Sequence, residues 1–311
     1  MGNCLALRAM AKKKSIDQAA LAQLLIKLTV SVILLGGGAF AFVSMRQQVV
    51  DELAHPGAPP LLVLKNRPAW MSEALAEQII RSARPKTAKS ALDHQLVAEV
   101  GQILEHNAWV KEVKQVKRLY GKSAGDTVEV DCEFRAPIAL VASRNEFILV
   151  DGDGIRLPEK FGPSTLPRIL LGPDGKMNLR IIEGVAAMPP FVDGQKWVGD
   201  DLAAGLDMAK LLYGRPFTEE IERINVANFK GRKNPRDAQI VLLTKYRSEV
   251  RWGEPIKLPF YAELPPVQKL ERLGLICQKY GRVDGGHSWV DIRLDKVMYP
   301  AEEASTKDLI H

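Results

Sequence analysis

The chain has few of the residues from which active sites are built. It holds five His and three Cys in 311 residues. Cys4, Cys132 and Cys277 lie far apart, and no pair has metal-ligand spacing. His55, His94, His106, His287 and His311 never form a His-Glu-x-x-His arrangement, and neither a Gly-x-Ser-x-Gly elbow nor a phosphate-binding P-loop occurs. Asp151-Gly152-Asp153-Gly154 lacks the third acidic position, the offset glycine and the terminal Glu of a calcium-binding loop, and reads as a hairpin turn. No repeat or low-complexity tract is present. These absences argue against an enzyme, a metal centre and a cofactor site, and they leave a binding protein as the expectation.

Basic charge is scarce where a nucleic-acid binder would need it. The net charge of +6 is concentrated in residues 1–27, where Arg8, Lys12, Lys13, Lys14 and Lys27 face only Asp17, leaving +2 on the remainder. A nucleic-acid footprint requires a basic face on the folded part. Arg232, Lys233 and Arg236 form only a small cluster, which reads as a solvated loop.

What the chain does have is one long apolar run, Leu28 to Met45, without a charged residue. Eighteen helical residues span about 27 Å, close to the ~30 Å hydrocarbon core of a bilayer. Lys and Arg precede it, which places the N-terminus in the cytoplasm and the rest outside. A cleaved signal peptide, with Ala39-Phe40-Ala41 as its cleavage pattern, and a buried soluble helix are the competing readings. The 27 residues before the run and its continuation through Phe42 and Val43 favour an anchor. Gly36-Gly37-Gly38 is tolerated in a membrane helix and leaves room for a close neighbour.

Beyond the run, the pattern predicts a cytoplasmic tail over 1–27, a transmembrane helix over 28–45 and a linker over 46–60. An α+β module with the order β-α-α-β-β follows over 61–134, then a mixed, mostly antiparallel β domain with flanking helices over 135–299 and a polar tail over 300–311. In the module, Leu61–Leu64 is a strand, Ser72 caps a helix through Arg81, and a second helix runs from Asp93 to His106. Val113, Val116 and Leu119 fit a strand loosely. Val128, Val130 and Cys132 alternate with acidic residues as a half-buried strand, with Gly121 and Gly125 at the preceding turn. In the β domain, strands are expected at 138–143, 146–150, 155–157, 222–229, 238–244, 248–252 and 288–299. Helices are expected at 200–213 and 265–278, and a turn at Gly172-Pro173-Asp174-Gly175. Cys132 and Cys277 sit in apolar patterns as free thiols or, less favoured, as a bridge.

Phe134-Arg135-Ala136-Pro137-Ile138-Ala139, followed by Phe147-Ile148-Leu149-Val150-Asp151-x-x-Gly154-x-x-Leu157-Pro158, resembles the FtsQ/DivIB cell-division proteins. Gly286-His287-Ser288-Trp289-Val290-Asp291-Ile292-Arg293-Leu294 resembles their C-terminal strand, and 61–134 resembles their POTRA (polypeptide-transport-associated) domain. The stretch 172–200 departs from the family pattern. The resemblance implies a non-enzymatic, single-pass scaffold of the cytoplasmic membrane at the division septum. Its implied partners are FtsB/FtsL-like single-pass proteins and the septal peptidoglycan synthase complex, with no cofactor, nucleic acid or small-molecule substrate. The alternative is a POTRA-containing envelope protein that assists delivery or assembly of exported proteins. A terminal strand at a sheet edge has backbone groups free to pair with another chain. That argument nominates Trp289, Val290, Asp291, Ile292, Arg293 and Leu294, aided by Tyr246, Arg247 and Trp252, as the partner-binding surface.

Overall fold

In the computed structural model, residues 18–54, 59–86, 90, 93, 95–119, 127–166, 170, 179–257 and 262–301 are described. Arg8, Lys12, Lys13 and Lys14, Cys4, the 55–58 linker, the Gly121–Gly125 and Gly172–Gly175 turns and the tail from residue 302 lie outside them. So does His94.

The apolar run is the middle of one long helix, α1 (Gln18–Ala54, 37 residues). Its span from Leu21 to Asp51 is long and apolar enough to cross a membrane and is not buried in the rest of the protein. Leu34, Leu35, Phe40 and Phe42 are all exposed. The four other described α-helices each bury an apolar stripe.

Two sheets follow. The first unit runs β1 (Leu61–Leu64), α2 (Glu73–Ala83), α3 (Gln95–Glu105), β2 (Val110–Leu119), β3 (Thr127–Phe134). Ser72 caps α2 by accepting the Leu75 N–H at 3.2 Å. Leu75, Ile79, Leu96, Val100 and Leu104 turn inward from the two helices. The strand order is β1-β3-β2, with β1 parallel and β2 antiparallel to β3. Cys132 is buried in this core, and burial pushes its thiol up to about 11. Neither it nor the half-buried Cys277 is bonded to another cysteine.

The second unit contains β4 (Pro137–Ser143), β5 (Glu146–Asp151), β6 (Arg156–Phe161), β7 (Arg180–Glu183), α4 (Asp200–Leu212), β8 (Ile221–Asn225), β9 (Ile240–Thr244), β10 (Glu249–Gly253), α5 (Pro266–Tyr280) and β11 (Trp289–Asp291). They form one eight-stranded sheet in the order β11-β10-β9-β8-β7-β4-β5-β6. Its β4–β5, β5–β6, β8–β9 and β9–β10 pairings are antiparallel, and β4–β7, β7–β8 and β10–β11 are parallel. The fold is therefore α+β with a mixed sheet. β7 is absent from the sequence-based expectation. It is four residues long, central, and bordered by parallel neighbours, so Arg180, Ile181 and Ile182 are all buried and no alternation betrays it.

α4 and α5 pack on one face of this sheet through Leu202, Leu206, Leu270 and Leu273. The other face is covered only in part. Leu140, Leu149, Leu157 and Ile181, from β4, β5, β6 and β7, join the core of the first unit. The Phe-Arg-x-Pro segment sits at that junction. Arg135 donates to Asp151 Oδ2 at 2.9 Å, and Asp151 Oδ1 accepts the N–H groups of Asp153 and Ile155 at 2.9 and 2.8 Å. The Asp151–Gly154 turn thus uses its first carboxylate for structure, and Gly154 supplies the positive φ of 77° that the turn needs. Among the described residues no three His, Cys, Asp or Glu side chains converge as a metal site.

Arg180 spans the middle of the second unit. It is buried, and its guanidinium donates to the Leu212 and Thr218 carbonyls and to Thr218 Oγ1 at 3.0–3.4 Å. It satisfies a carbonyl at the C-terminal end of α4, where a cation is favoured. Burial lowers its pKa to about 10. At the far edge of the sheet, β6 is covered at its start by residues 194–196 and interrupted by Pro158, which has no N–H to offer.

Candidate partner-binding surface

The last described strand lies at the opposite edge, as the terminal-strand argument expects, but it is short. β11 covers only Trp289–Asp291 and pairs parallel with β10. Arg293 to Lys296 then turn back, and Met298 exchanges two backbone hydrogen bonds with Asp291, at 2.8 and 3.1 Å. The expected twelve-residue strand over 288–299 is replaced by this narrow return. Ser288 and Ile292 bond toward β10, so Trp289 and Asp291 turn their peptide groups outward. Met298 occupies those of Asp291. The outermost backbone is therefore that of Trp289 and of Val297 to Tyr299, which flank the single bridge. Val297 and Tyr299 were not among the nominated site residues.

The nominated residues separate into two groups. Trp252, Val290 and Ile292 are fully buried and belong to the core under α4 and α5, not to a surface. Alternation explains this: in a half-covered strand successive side chains face opposite ways. Asp291 is also buried, and its carboxylate is clamped by Arg293, which donates from Nη2 at 2.7 Å and from Nε at 3.0 and 3.1 Å. These bonds raise the arginine's already high pKa. Tyr246, Arg247 and Leu294 are exposed, and Trp289 is half-buried.

Tyr246 and Arg247 form the β9–β10 hairpin turn, with Arg247 at a φ of 64°. The Tyr246 ring lies 3.8 Å from the Arg282 guanidinium, and its hydroxyl donates to Glu220 at 3.2 Å. Beneath it is a buried chain of polar groups. Thr244 and Ser248 hydroxyls meet at 2.5 Å, Ser248 bonds Asp284, and Arg282 pairs with the same carboxylate at 2.5 Å. Burial alone would push the Asp284 carboxyl up. Hydrogen bonds from Ser248, Arg282 and the Gly286 N–H outweigh it and hold the pKa below the ordinary value. The hairpin tip and the 281–287 segment leading into β11 are therefore tied together by a continuous run of polar contacts.

The face of β8–β11 opposite α4 and α5 sets beside the nominated Trp289 and Asp291 several side chains that the sequence argument missed. Register places Arg223, Leu243, Glu249 and Trp289 in one cross-strand row and Asn225, Val241, Arg251 and Asp291 in the next. Arg251 lies 4.0 Å from the centre of the Trp289 ring. Arg223 pairs with Glu183 at 3.3 Å. Apart from Asp291, all of these are partly or fully exposed. The result is an apolar strip, Val241, Leu243 and Trp289, edged by arginine and glutamate. The only sign of it in the sequence was the weak alternation of β9 and β10.

No protein-family model matches the chain, and no curated protein matches it.

Proposed function

We propose that the chain is a non-enzymatic scaffold of the FtsQ/DivIB type, anchored in the bacterial cytoplasmic membrane by α1 with its N-terminus inside. In this reading the folded units lie outside and gather single-pass division proteins and the septal peptidoglycan synthase complex at the septum. Residues 61–134 then serve as the POTRA domain. The observation that carries the reading is the place of the last described strand: β11 ends the sheet at an edge that the Met298 return occupies only at Asp291, beside a four-strand face whose side chains stay partly exposed. An extended segment of a partner adds along Trp289 and Val297–Tyr299 through backbone bonds. The exposed row of Leu243, Arg251 and Trp289 selects its side chains. The order of an apolar helix, a β-α-α-β-β unit and a larger mixed sheet supports the same reading. So does the Arg135–Asp151 pair, which joins the two segments on which the resemblance rests.

Depletion of the protein in its host is expected to give filaments that fail to divide, and the full chain is expected to co-purify with a small single-pass coiled-coil protein. Val297→Pro removes an outward N–H while leaving the Asp291–Met298 bridge in place. It should abolish that co-purification in a chain that still melts cooperatively. Normal division on depletion, or capture of unfolded exported proteins in place of a division protein, would overturn the reading in favour of a delivery role.

A further inference from the structure

Two carboxylates and one ammonium meet where β10 ends, and their charges do not balance. Lys269, on α5, is fully buried, and its Nζ lies 5.3 Å from the centre of the Trp252 ring. It donates to Glu263 Oε2 at 2.6 Å and to the Trp252 carbonyl at 2.7 Å. The same Glu263 oxygen accepts the Glu254 N–H at 2.9 Å, which ties the residue after β10 to the loop that enters α5. Glu263 rests so closely on Gly253 that an added methyl group would overlap its carboxylate. Glu254 completes the set. Its Oε2 is shut off from solvent and accepts no hydrogen bond among the described residues.

A buried acceptor left without a donor is unfavourable, and native proteins rarely keep one without a reason. Glu263 already neutralises Lys269, so a charged Glu254 is a second anion beside a pair that needs none. The groups that face Glu254 are Glu263 from the loop and Lys269 from α5. Beyond them is Arg293, which is clamped on Asp291 and acts on both Glu263 and Lys269. A proton is the smallest donor that satisfies Oε2, and it removes the surplus charge in the same step. We propose that Glu254 is a proton-operated latch: one proton taken from solvent tightens the hold of residues 262–264 on the return after β11. The connection is direct. The Leu264 N–H donates to the Arg293 carbonyl at 2.8 Å, and Arg272 donates to the Leu294 carbonyl. Residues 293 and 294 are therefore held by the same loop and helix that carry Glu263 and Lys269.

Burial and the neighbouring Glu263 push the Glu254 carboxyl above its ordinary value of 4.5, and Lys269 offsets them only in part. The charged form therefore weakens the hold at neutral pH. The hold strengthens as pH falls through the raised, folded value and is complete below the ordinary one. Asp284, kept below its own ordinary value, stays charged across this window, so the two groups do not mask each other. The proposal does not depend on the division-protein reading.

Hydrogen exchange of the full chain in detergent micelles tests it, compared at about pH 7.5 and about pH 5 after correction for intrinsic rates. Protection of the Leu264 amide and of 291–294 is expected to rise at least about threefold on acidification. Glu254→Gln keeps the shape and removes the charge, so it should show the acid level of protection at both pH values. A residue that served packing alone would lose protection on substitution instead. Circular dichroism establishes that the variant is folded. Wild-type protection that does not rise in acid, a glutamine variant less protected than wild type at neutral pH, or one that keeps the wild-type pH dependence would each overturn the proposal.

Discussion

The two halves of the large sheet are built from similar strands and treated differently. Across β4, β5 and β7, both faces are covered, one by α4 and its neighbours and the other by the first unit, so Leu140, Leu149, Ile181 and Ile182 see no solvent or almost none. Across β8–β11 the described residues cover only the helix side, and Val241, Leu243, Arg251 and Trp289 remain partly accessible. The covered half carries stability, because burial on two faces removes nearly all side-chain area from water. The half-covered part keeps a surface that stability does not require. A binding face is most easily found where one layer of a three-layer structure stops.

The sharpest way to break this contrast is to empty the covered half. Leu149→Ala should cost about 2–5 kcal/mol in denaturant unfolding, since the cavity opens between two packed layers. Arg180→Ala removes the donor shared by the Leu212 and Thr218 carbonyls, and about 1–3 kcal/mol is expected from leaving buried acceptors unsatisfied. On the open half, Leu243→Ser should change stability by well under that amount, about 1 kcal/mol or less. If Leu243→Ser destabilises the fold as much as Leu149→Ala, the two halves do not divide the labour in this way.

A pH experiment reaches the border of the open half. Asp284 has a folded pKa below the unfolded value, so its contribution is complete above about pH 4 and is lost as acid protonates it through the lower, folded value. Amide protection in 281–287 should therefore fall on acidification below about pH 4 in the wild-type chain. In Asp284→Asn that protection should already be reduced at neutral pH and vary little with acid. Equal acid sensitivity in both chains would remove Asp284 from the account.

Most elements were legible in the sequence because their periodicity follows from one-sided burial. Ser72 announced α2, Leu202, Leu206, Ala209 and Leu212 announced α4, and alternation announced β3. β7 was invisible because burial on both faces erases alternation, and its Arg180 reads as a surface residue until its acceptors are seen. The candidate surface was legible only in outline. The terminal strand could be placed at an edge, but not its early return at Met298. Trp252, Val290 and Ile292 looked available because composition cannot say which side of a strand faces the helices. Arg251 and Leu243 come beside Trp289 only through cross-strand register, which no linear spacing encodes.

The blunt far end of the sheet has a consequence for stoichiometry. At β6, Pro158 and the bound 194–196 segment leave no continuous row of backbone groups for another strand. Strand addition is disfavoured at that end, so if a partner segment adds at β11 as proposed, each copy would take one such segment and assemblies built on it would be finite and countable instead of open-ended.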